Sequence, residues 1–268
     1  MSCYLVLGQN GQDMQTCYQR LNDTQWQVIK PFLNWQRKRT LDLRSIVDAI
    51  LYVTRTGVQW RNLSETRFPA WTAVYYYYRK WKKEDIFDQI NLGLNSLERL
   101  INLRAHSPSL ALADSQSILL APMIGEARGT DGHKKVNGRK RHILTDIRGR
   151  IYKVHVHAAN QHDSPQGVYL LDNLKDHFDR LETIMTDSTY QGSFAKAVTG
   201  LGVKFEVPQR PEGTKGFVVE AKRWVVERSF AWLNFFRRTT KDYERTTESA
   251  EAFVILANIS MVLWNIAG

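Results

Sequence analysis

Residues 131–163 read DGHKKVNGRKRHILTDIRGRIYKVHVHAANQHD. Within this stretch, residues 138–159 predict two strands joined by a turn at Arg148 and Gly149. The segment that follows, HDSPQGVYLLDNLKDHF (162–178), predicts a helix with Asp163 or Ser164 as its N-cap and Pro165 in its first turn. Upstream, HSPSLALADSQS (106–117) alternates so that Leu110, Leu112 and Asp114 share one strand face. Downstream, LETIMTDSTYQG (181–192) predicts a strand that ends at Asp187 and Ser188, and GVKFEVPQRP (202–211) predicts another. Helices are expected over 217–236 and 247–266. The order β-β-β-α-β-(α)-β-α-α implies a mixed sheet with helices on both faces, an α/β fold.

The first hundred residues have a different character. Helical spacing predicts helices at 22–36, 42–56 (with Gly57 as C-cap), 71–82 and 84–104. The third, WTAVYYYYRKWK, combines aromatic and basic residues. Four consecutive tyrosines cannot all face inward on one helix, so part of this row faces solvent or a ligand. A short helical unit ending this way suits a helix-turn-helix DNA-binding domain, and a plain helical bundle with a tyrosine-rich core is the alternative.

Composition narrows the function. The chain has 268 residues, 37 Lys and Arg against 27 Asp and Glu, and a net charge of +10, which points to a polyanionic partner. Its 30 aromatic residues exclude global disorder. Only two cysteines occur, Cys3 and Cys17, with no CxxC pair, so neither a disulfide framework nor a cysteine zinc site is indicated. The N-terminus lacks the pattern of a signal peptide. The apolar run FVILANISMVLWNIAG (253–268) is interrupted by Asn258, Ser260 and Asn265 and reads as a buried helix rather than a membrane span. P-loop, GxGxxG and GxSxG motifs are absent from the sequence, so mononucleotide, dinucleotide and serine-hydrolase chemistry have no motif support.

Three carboxylates stand out. Asp114 continues the face of Leu110 and Leu112, and Asp187 that of Thr183 and Met185; buried carboxylates are costly unless paired or metal-bound. Glu227 is the one acid in KRWVVERSFAWLNFFRR (222–238), on a helical face with Arg223, Phe230, Ala231, Asn234 and Arg238. Three hard oxygen donors suit Mg²⁺ or Mn²⁺, and two such ions serve phosphodiester chemistry. Each carboxylate also has a structural alternative, as a turn former or, for Glu227, a partner of Arg223. Positive charge flanks them: residues 128–153 hold nine Lys and Arg against two Asp, a basic ribbon if they form a hairpin, and residues 222–245 hold seven against three acids. Two solvated charged faces are the alternative. The cluster HVHAANQHD (155–163) permits a zinc reading through His155 and His157, but no second ligand pair is well placed for it.

Taken together, DSQS, DGHKKVNGRKRHILTDIRGRIYKVHVHAANQHD, TDSTYQG and KRWVVERSFAWLNFFRRTTKDYE resemble the DDE transposases of bacterial insertion sequences, in the insertion-sequence-five branch. The helical part, LNDTQW through YYYYRKW, is similar to the N-terminal DNA-binding region of the same proteins, so the likeness runs from about residue 21 to about 262. The resemblance implies a ribonuclease H-like catalytic domain over 106–268, a helical DNA-binding domain over 1–105 with 1–20 as a variable extension, and Asp114, Asp187 and Glu227 as catalytic, metal-holding residues. It implies Mg²⁺ or Mn²⁺, as two ions, and cleavage and strand transfer on double-stranded DNA, at terminal inverted repeats and a target. A homo-oligomeric synaptic complex in the bacterial cytoplasm, at the nucleoid, is the expected setting, with neither membrane nor small-molecule substrate. The expected DNA contacts are Arg223, Lys134, Lys135, Arg139, Lys140, Arg141, Arg237, Arg238 and Lys241, with Tyr75, Tyr78 and Arg79 reading the ends. The related signature places a Tyr where this chain has Glu220 and a Lys where it has Asn234, while Arg223 and Glu227 match. The rivals are a transposase-derived regulator that binds DNA without cutting, and a metal nuclease that cuts without joining.

Overall fold

The hairpin forms one side of the sheet in the computed structural model, which describes residues 18–36, 40–208 and 223–267. Cys3, Cys17, most of the 1–20 extension, Glu220, the start of the helix expected over 217–236 and the Arg223 side chain lie outside the described residues. The strands are β1 (Leu110–Leu119), β2 (Gly129–Asp131), β3 (Val136–Asp146), β4 (Ile151–Ala158), β5 (Thr183–Met185) and β6 (Lys204–Glu206). β3 pairs antiparallel with β1 along one edge; along its other edge it pairs first with β2 and then with β4. β1 runs parallel to β5, and β5 to β6. Three antiparallel strands followed by two parallel ones is the ribonuclease H-like arrangement. β2 was not anticipated; three residues carry too little periodicity to be read. β1 extends five residues beyond Asp114, which is therefore mid-strand rather than at a strand end.

The helices are α1 (Asp23–Ile29), α2 (Leu43–Thr56), α3 (Trp71–Lys83), α4 (Ile86–Ile101), α5 (Asp163–Gly167), α6 (Leu174–His177), α7 (Ser193–Gly200), α8 (Arg223–Leu233), α9 (Arg237–Thr240) and α10 (Thr247–Ala267). Asn22 and Gln25 cap α1 reciprocally, Asp42 caps α2 at Arg44 and Ser45, and Gly57 closes α2. Two expected helices are shorter than read. The first stops at Ile29 and continues as a 3₁₀ turn, Lys30–Phe32, because Pro31 has no N–H to donate. The one expected over 162–178 breaks into α5, a 3₁₀ turn (Val168–Leu171) and α6, with Asn173 at a left-handed φ of 53°. Its cap is His162, whose ring accepts from Ser164 N; Asp163 instead pairs with Lys140.

Strand alternation sorts the core by face. Leu112, Ile143 and Ile151 pack with α1–α4, α8 and α10, whereas Ala111, Ala113, Leu144 and Tyr152 pack with α5–α7. α10 is long and apolar enough to cross a membrane by composition, but most of it, including Phe253–Ile259, is buried in the first core.

A polar node joins helices to sheet. Pairing of β3 with β4 shifts between Leu144 and Thr145, which leaves the Ile151 backbone beside an irregular step of the ladder. Asn258 of α10 accepts from Ile151 N at 3.0 Å, and Asn91 and Asn95 of α4 each donate to Ile151 O at 2.9 Å. Asn258 also donates to Asn91 Oδ1 at 2.6 Å and Asn95 Oδ1 at 3.1 Å. All three asparagines are fully buried. Nearby, Arg150 and Glu98 pair through two bonds of 2.6 and 2.7 Å, and Arg99 meets Asp146 at 2.7 Å.

Burial also corrects the basic ribbon, because β3 is covered on both faces from Gly138 onward. Arg139 is fully buried; it meets Asp242 at 3.1 Å and the carbonyls of Glu126 and Glu244 at 2.8 and 2.9 Å. Arg141 is buried too, bonded to Gln116 and, at 2.8 Å, to Thr239 O, and Lys140 is held by Asp163 at 2.9 Å. Arg139 and Arg141 tie the hairpin to the chain before α10, and Lys140 ties it to Asp163 at the start of α5; groups so enclosed are not a phosphate-binding surface.

Asn258→Leu is expected to leave Ile151 N–H and the Asn91 and Asn95 oxygens short of partners inside the protein, at about 3 kcal/mol or more, measured by urea unfolding. Arg139→Ala leaves Asp242 buried without its cation and should cost about 3–5 kcal/mol in the same assay, where an exposed DNA-contacting arginine would cost far less.

Candidate active site

The last pair of the parallel ladder between β1 and β5 is Leu112 with Met185. Two residues further along each chain stand Asp114 and Asp187, where the strands have stopped pairing with each other. β1 continues beside β3, with Asp114 opposite Ile143, while the other chain turns into a 3₁₀ turn, Ser188–Tyr190. The two aspartates thus follow the point where the parallel ladder of β1 and β5 ends and the two segments part, the kind of opening where ligands bind in such sheets. Both are half-buried. Asp114 Oδ1 accepts from Ser115 N at 2.7 Å, and Asp187 caps its own turn by accepting from Thr189 N at 2.9 Å.

Glu227 is supplied by α8. Val225, Val226, Ser229, Phe230 and Leu233 are buried, and Glu227 is exposed on the opposite side of the helix. α8 packs against β1 on the face that carries Leu112, hence the face of Asp114. The β3–β4 turn fixes its rotation. Ser229 Oγ donates to Gly149 O at 2.9 Å, and Arg228 to Arg148 O at 3.0 Å. A Cβ at Gly149 would sit 2.5 Å from Ser229 Oγ, and its φ of +82° suits glycine, so this contact needs glycine twice over.

Hard carboxylate oxygens match the donor set of a magnesium or manganese site. Among the described residues, no three His, Cys, Asp or Glu side chains converge tightly enough to hold one ion. The two aspartates follow the end of the β1–β5 ladder, and Glu227 lies on the helix that packs against β1.

Behind the opening lies a buried layer that periodicity did not reveal. Tyr190 is fully buried and bonds through its hydroxyl to His142 Nδ1; His142 Nε2 is 2.7 Å from His157 Nε2, and His157 Nδ1 donates to Ala158 O at 2.8 Å. Burial pushes the Tyr190 phenol well up, and the charges of Asp114, Asp163 and Asp187 push it further. Burial also holds His142 well below the usual histidine range and brings His157 to about 4. The zinc reading of His155 and His157 gains nothing: His157 is committed to His142, and His155 to Gln166 at 2.9 Å and Glu251 at 3.6 Å. The signal that could have found this layer is His142 and Tyr190, each close in sequence to other site residues; neither carries a motif of its own.

The expected DNA contacts divide by exposure. Lys134, Lys135, Tyr75, Arg79 and Arg237 are exposed, and Lys241 is half-buried. Lys134 and Lys135 ride a turn held by Asp131, which accepts from His133 N and Lys134 N at 3.0 Å. Besides Arg139, Lys140 and Arg141, two more expectations fail. Tyr78 is buried within a cluster of Trp60, Phe87 and Phe253, and Arg238 is turned inward onto Glu244 at 2.7 Å and over the Phe253 ring. Asn234 is exposed, three residues before exposed Arg237.

The chain is similar to several known proteins. A family profile described as "Transposase DDE domain" matches residues 105–263, and one described as "Putative transposase of IS4/5 family" matches residues 21–91. A Burkholderia cepacia protein, "Putative transposase for insertion sequence element IS402", is 30% identical over 136 residues, 48% of this chain and 64% of that protein. The chain thus aligns with slightly under two thirds of that relative's length. Among solved structures, the catalytic core domain of BIV integrase overlaps with a TM-score of 0.36 at 12% identity, covering 56% of this chain and 82% of that one. The Drosophila P element transposase strand transfer complex overlaps with a TM-score of 0.31 at 17% identity, covering 68% and 40%. With more than half of its length matched to the transposase DDE domain, the chain belongs to the DDE transposases of insertion sequences.

Proposed function

We propose that the chain is a DNA transposase that cuts at the ends of an insertion sequence and joins the freed ends to target DNA. The observation that supports this reading is the register of β1 and β5, whose last pair, Leu112 with Met185, stands two residues before Asp114 and Asp187, together with the packing of α8, which carries Glu227, against β1. Asp114, Asp187 and Glu227 would hold Mg²⁺ or Mn²⁺, two ions when the site is filled, which supply charge for the scissile phosphate and an activated oxygen nucleophile. The protein's own part is placement. The sheet fixes two carboxylates, α8 presents the third, and exposed cations hold the flanking phosphates.

The first 105 residues bind the element's ends in this reading, and residues 106–268 carry the chemistry. α3 offers exposed Tyr75 and Arg79, and exposed Lys134, Lys135 and Arg237 with half-buried Lys241 supply further positive charge for the phosphates. Double-stranded DNA is the substrate, as terminal inverted repeats and as target. A homo-oligomer assembles on the paired ends, in the cytoplasm at the nucleoid.

Purified protein, labelled terminal repeats, a target plasmid and Mg²⁺ test this directly. Cut ends joined to the plasmid are expected. Binding without cutting would instead identify a regulator, and cutting without joining a nuclease. Asp114→Asn, Asp187→Asn and Glu227→Gln should each lower cleavage at least about 100-fold while end binding changes by less than about threefold; parental cleavage by any of them removes that residue from the site. Lys134→Ala and Lys135→Ala should weaken binding to every sequence alike and lower the salt slope by about 1 each, read from binding titrations at several salt concentrations. Arg79→Ala should weaken binding to the terminal repeat more than to unrelated duplex.

A further inference from the structure

Backbone pairing between β1 and β5 stops at Leu112 and Met185, two residues before the aspartates. Thr186 N donates to Glu206 O of β6, away from β1. Past that point another structure must keep Asp114 and Asp187 in register. Strand alternation says where to look. Asp114 faces α8, so its neighbour Ser115 faces the other side of the sheet, and there Ser115 pairs with His142 across β1 and β3.

Tyr190 fills that side. It ends the turn that Asp187 caps, so three residues of 3₁₀ geometry connect them, with Tyr190 N bonded to Asp187 O at 3.4 Å. Its ring packs on Phe194 at 5.0 Å between centroids. Space for the ring is made by Gly167 of α5, where a Cβ would sit 2.6 Å from the tyrosine ring. Ser164 Oγ of the same helix donates to Tyr190 O at 3.3 Å and accepts from Phe194 N at 3.1 Å.

Proton positions in the row follow from its far end. A carbonyl only accepts, so His157 Nδ1 carries the proton given to Ala158 O, and in the neutral ring Nε2 is then the acceptor. His142 Nε2–H therefore donates to His157, His142 Nδ1 accepts, and the Tyr190 hydroxyl donates to it. The hydroxyl has one proton and this row consumes it, so the tyrosine is held in one rotamer by a one-way chain ending on main chain. On its near side the phenol oxygen meets Ser115, whose hydroxyl is 3.2 Å from Asp163 Oδ1, and Asp163 in turn holds Lys140.

We propose that Tyr190, held by His142, is a positioning residue that sets the spacing of Asp114 and Asp187 from the back of the sheet, in place of the backbone ladder that ends before them. This rests on the reading of those two aspartates as the metal-holding pair. Tyr190 touches neither DNA nor ion; it fixes the Asp187 turn against the strand that carries Asp114.

Three substitutions in the full chain test it. Tyr190→Phe keeps the ring against Phe194 and removes only the hydroxyl, His142→Phe removes the acceptor, and His142→Asn keeps an oxygen near Nδ1. Mn²⁺ affinity is measured by electron paramagnetic resonance, end binding by titration, melting by circular dichroism, and single-turnover cleavage as a function of Mn²⁺ concentration. Tyr190→Phe and His142→Phe should raise the Mn²⁺ concentration for half-maximal binding and cleavage about 10-fold with end affinity within about twofold, and His142→Asn should stay within about threefold of the parent. Parental Mn²⁺ dependence in Tyr190→Phe overturns the proposal. So does a lowered melting temperature with a lower rate and unchanged Mn²⁺ dependence, which would make the tyrosine packing alone. If Tyr190→Phe does not fold, the contrast between His142→Phe and His142→Asn decides on the same readouts. Failure of the underlying site reading shows separately, as parental Mn²⁺ binding and cleavage by Asp114→Asn and Asp187→Asn.

Discussion

The structure depends on how it satisfies one peptide unit, the backbone of Ile151. The shift in the β3–β4 ladder puts that N–H and C=O beside an irregular step, under two helices and away from solvent. Inside a protein such groups must be paired, and here the partners are side chains of Asn91, Asn95 and Asn258. α4 and α10 are therefore specified in position and rotation by hydrogen bonds, where apolar contact alone would tolerate sliding. Arg150 with Glu98 and Arg99 with Asp146 flank the node and extend it along α4. Because α10 also packs on α2, the helices that precede the sheet in sequence share its largest core. Tyr75 and Arg79 on α3 are thus set in the same frame as Asp114.

That frame determines what the protein's positive charge does. A net charge of +10 suggests an open basic surface, and the run Arg139-Lys140-Arg141 looks like its densest part. β3, however, is paired on both edges and covered on both faces from Gly138 onward. The three cations consequently meet Asp242, Asp163, Gln116 and a set of main-chain carbonyls. Arg238 follows the same rule with Glu244. The exposed cations are instead on turns and helix ends, such as Lys134, Lys135 and Arg237, where long side chains reach outward without desolvating their charge.

What could be read in advance follows from this. The strand order and the hairpin turn at Gly149 were legible because alternation and glycine placement are local, and the long motifs of the DDE transposases marked Asp114, Asp187 and Glu227 as candidates. Asn258 was noticed as an interruption of an apolar run; its role was not, because it depends on a bulge in strands a hundred residues away. The fate of Arg139 and Arg141 was misread for a similar reason. Alternation tells which residues share a face, but not whether a second layer covers it. Tyr190 and His142 were not singled out because their meaning is a contact across 48 residues, and neither residue type announces it. Helix lengths failed where a single residue intervened, at Pro31 and around Gly167 and Asn173.

The site itself joins two kinds of order. Asp114 and Asp187 sit where a parallel ladder ends, so their separation follows from sheet geometry on one face and from the Tyr190–His142 row on the other. A strand with a carboxylate on its front necessarily presents the next residue to its back, which is why Ser115 and His142 are available as the foundation. Glu227 obeys a different constraint. It belongs to a helix whose rotation is set by Ser229 and Arg228 on the β3–β4 turn, the same turn whose Asp146 and Arg150 are tied to α4. The third carboxylate is thereby coupled to the helical unit, and the first two are coupled to the sheet. The contacts that fix α8, and with it Glu227, run through Arg148 and Gly149, so the hairpin turn sets the helix against the sheet.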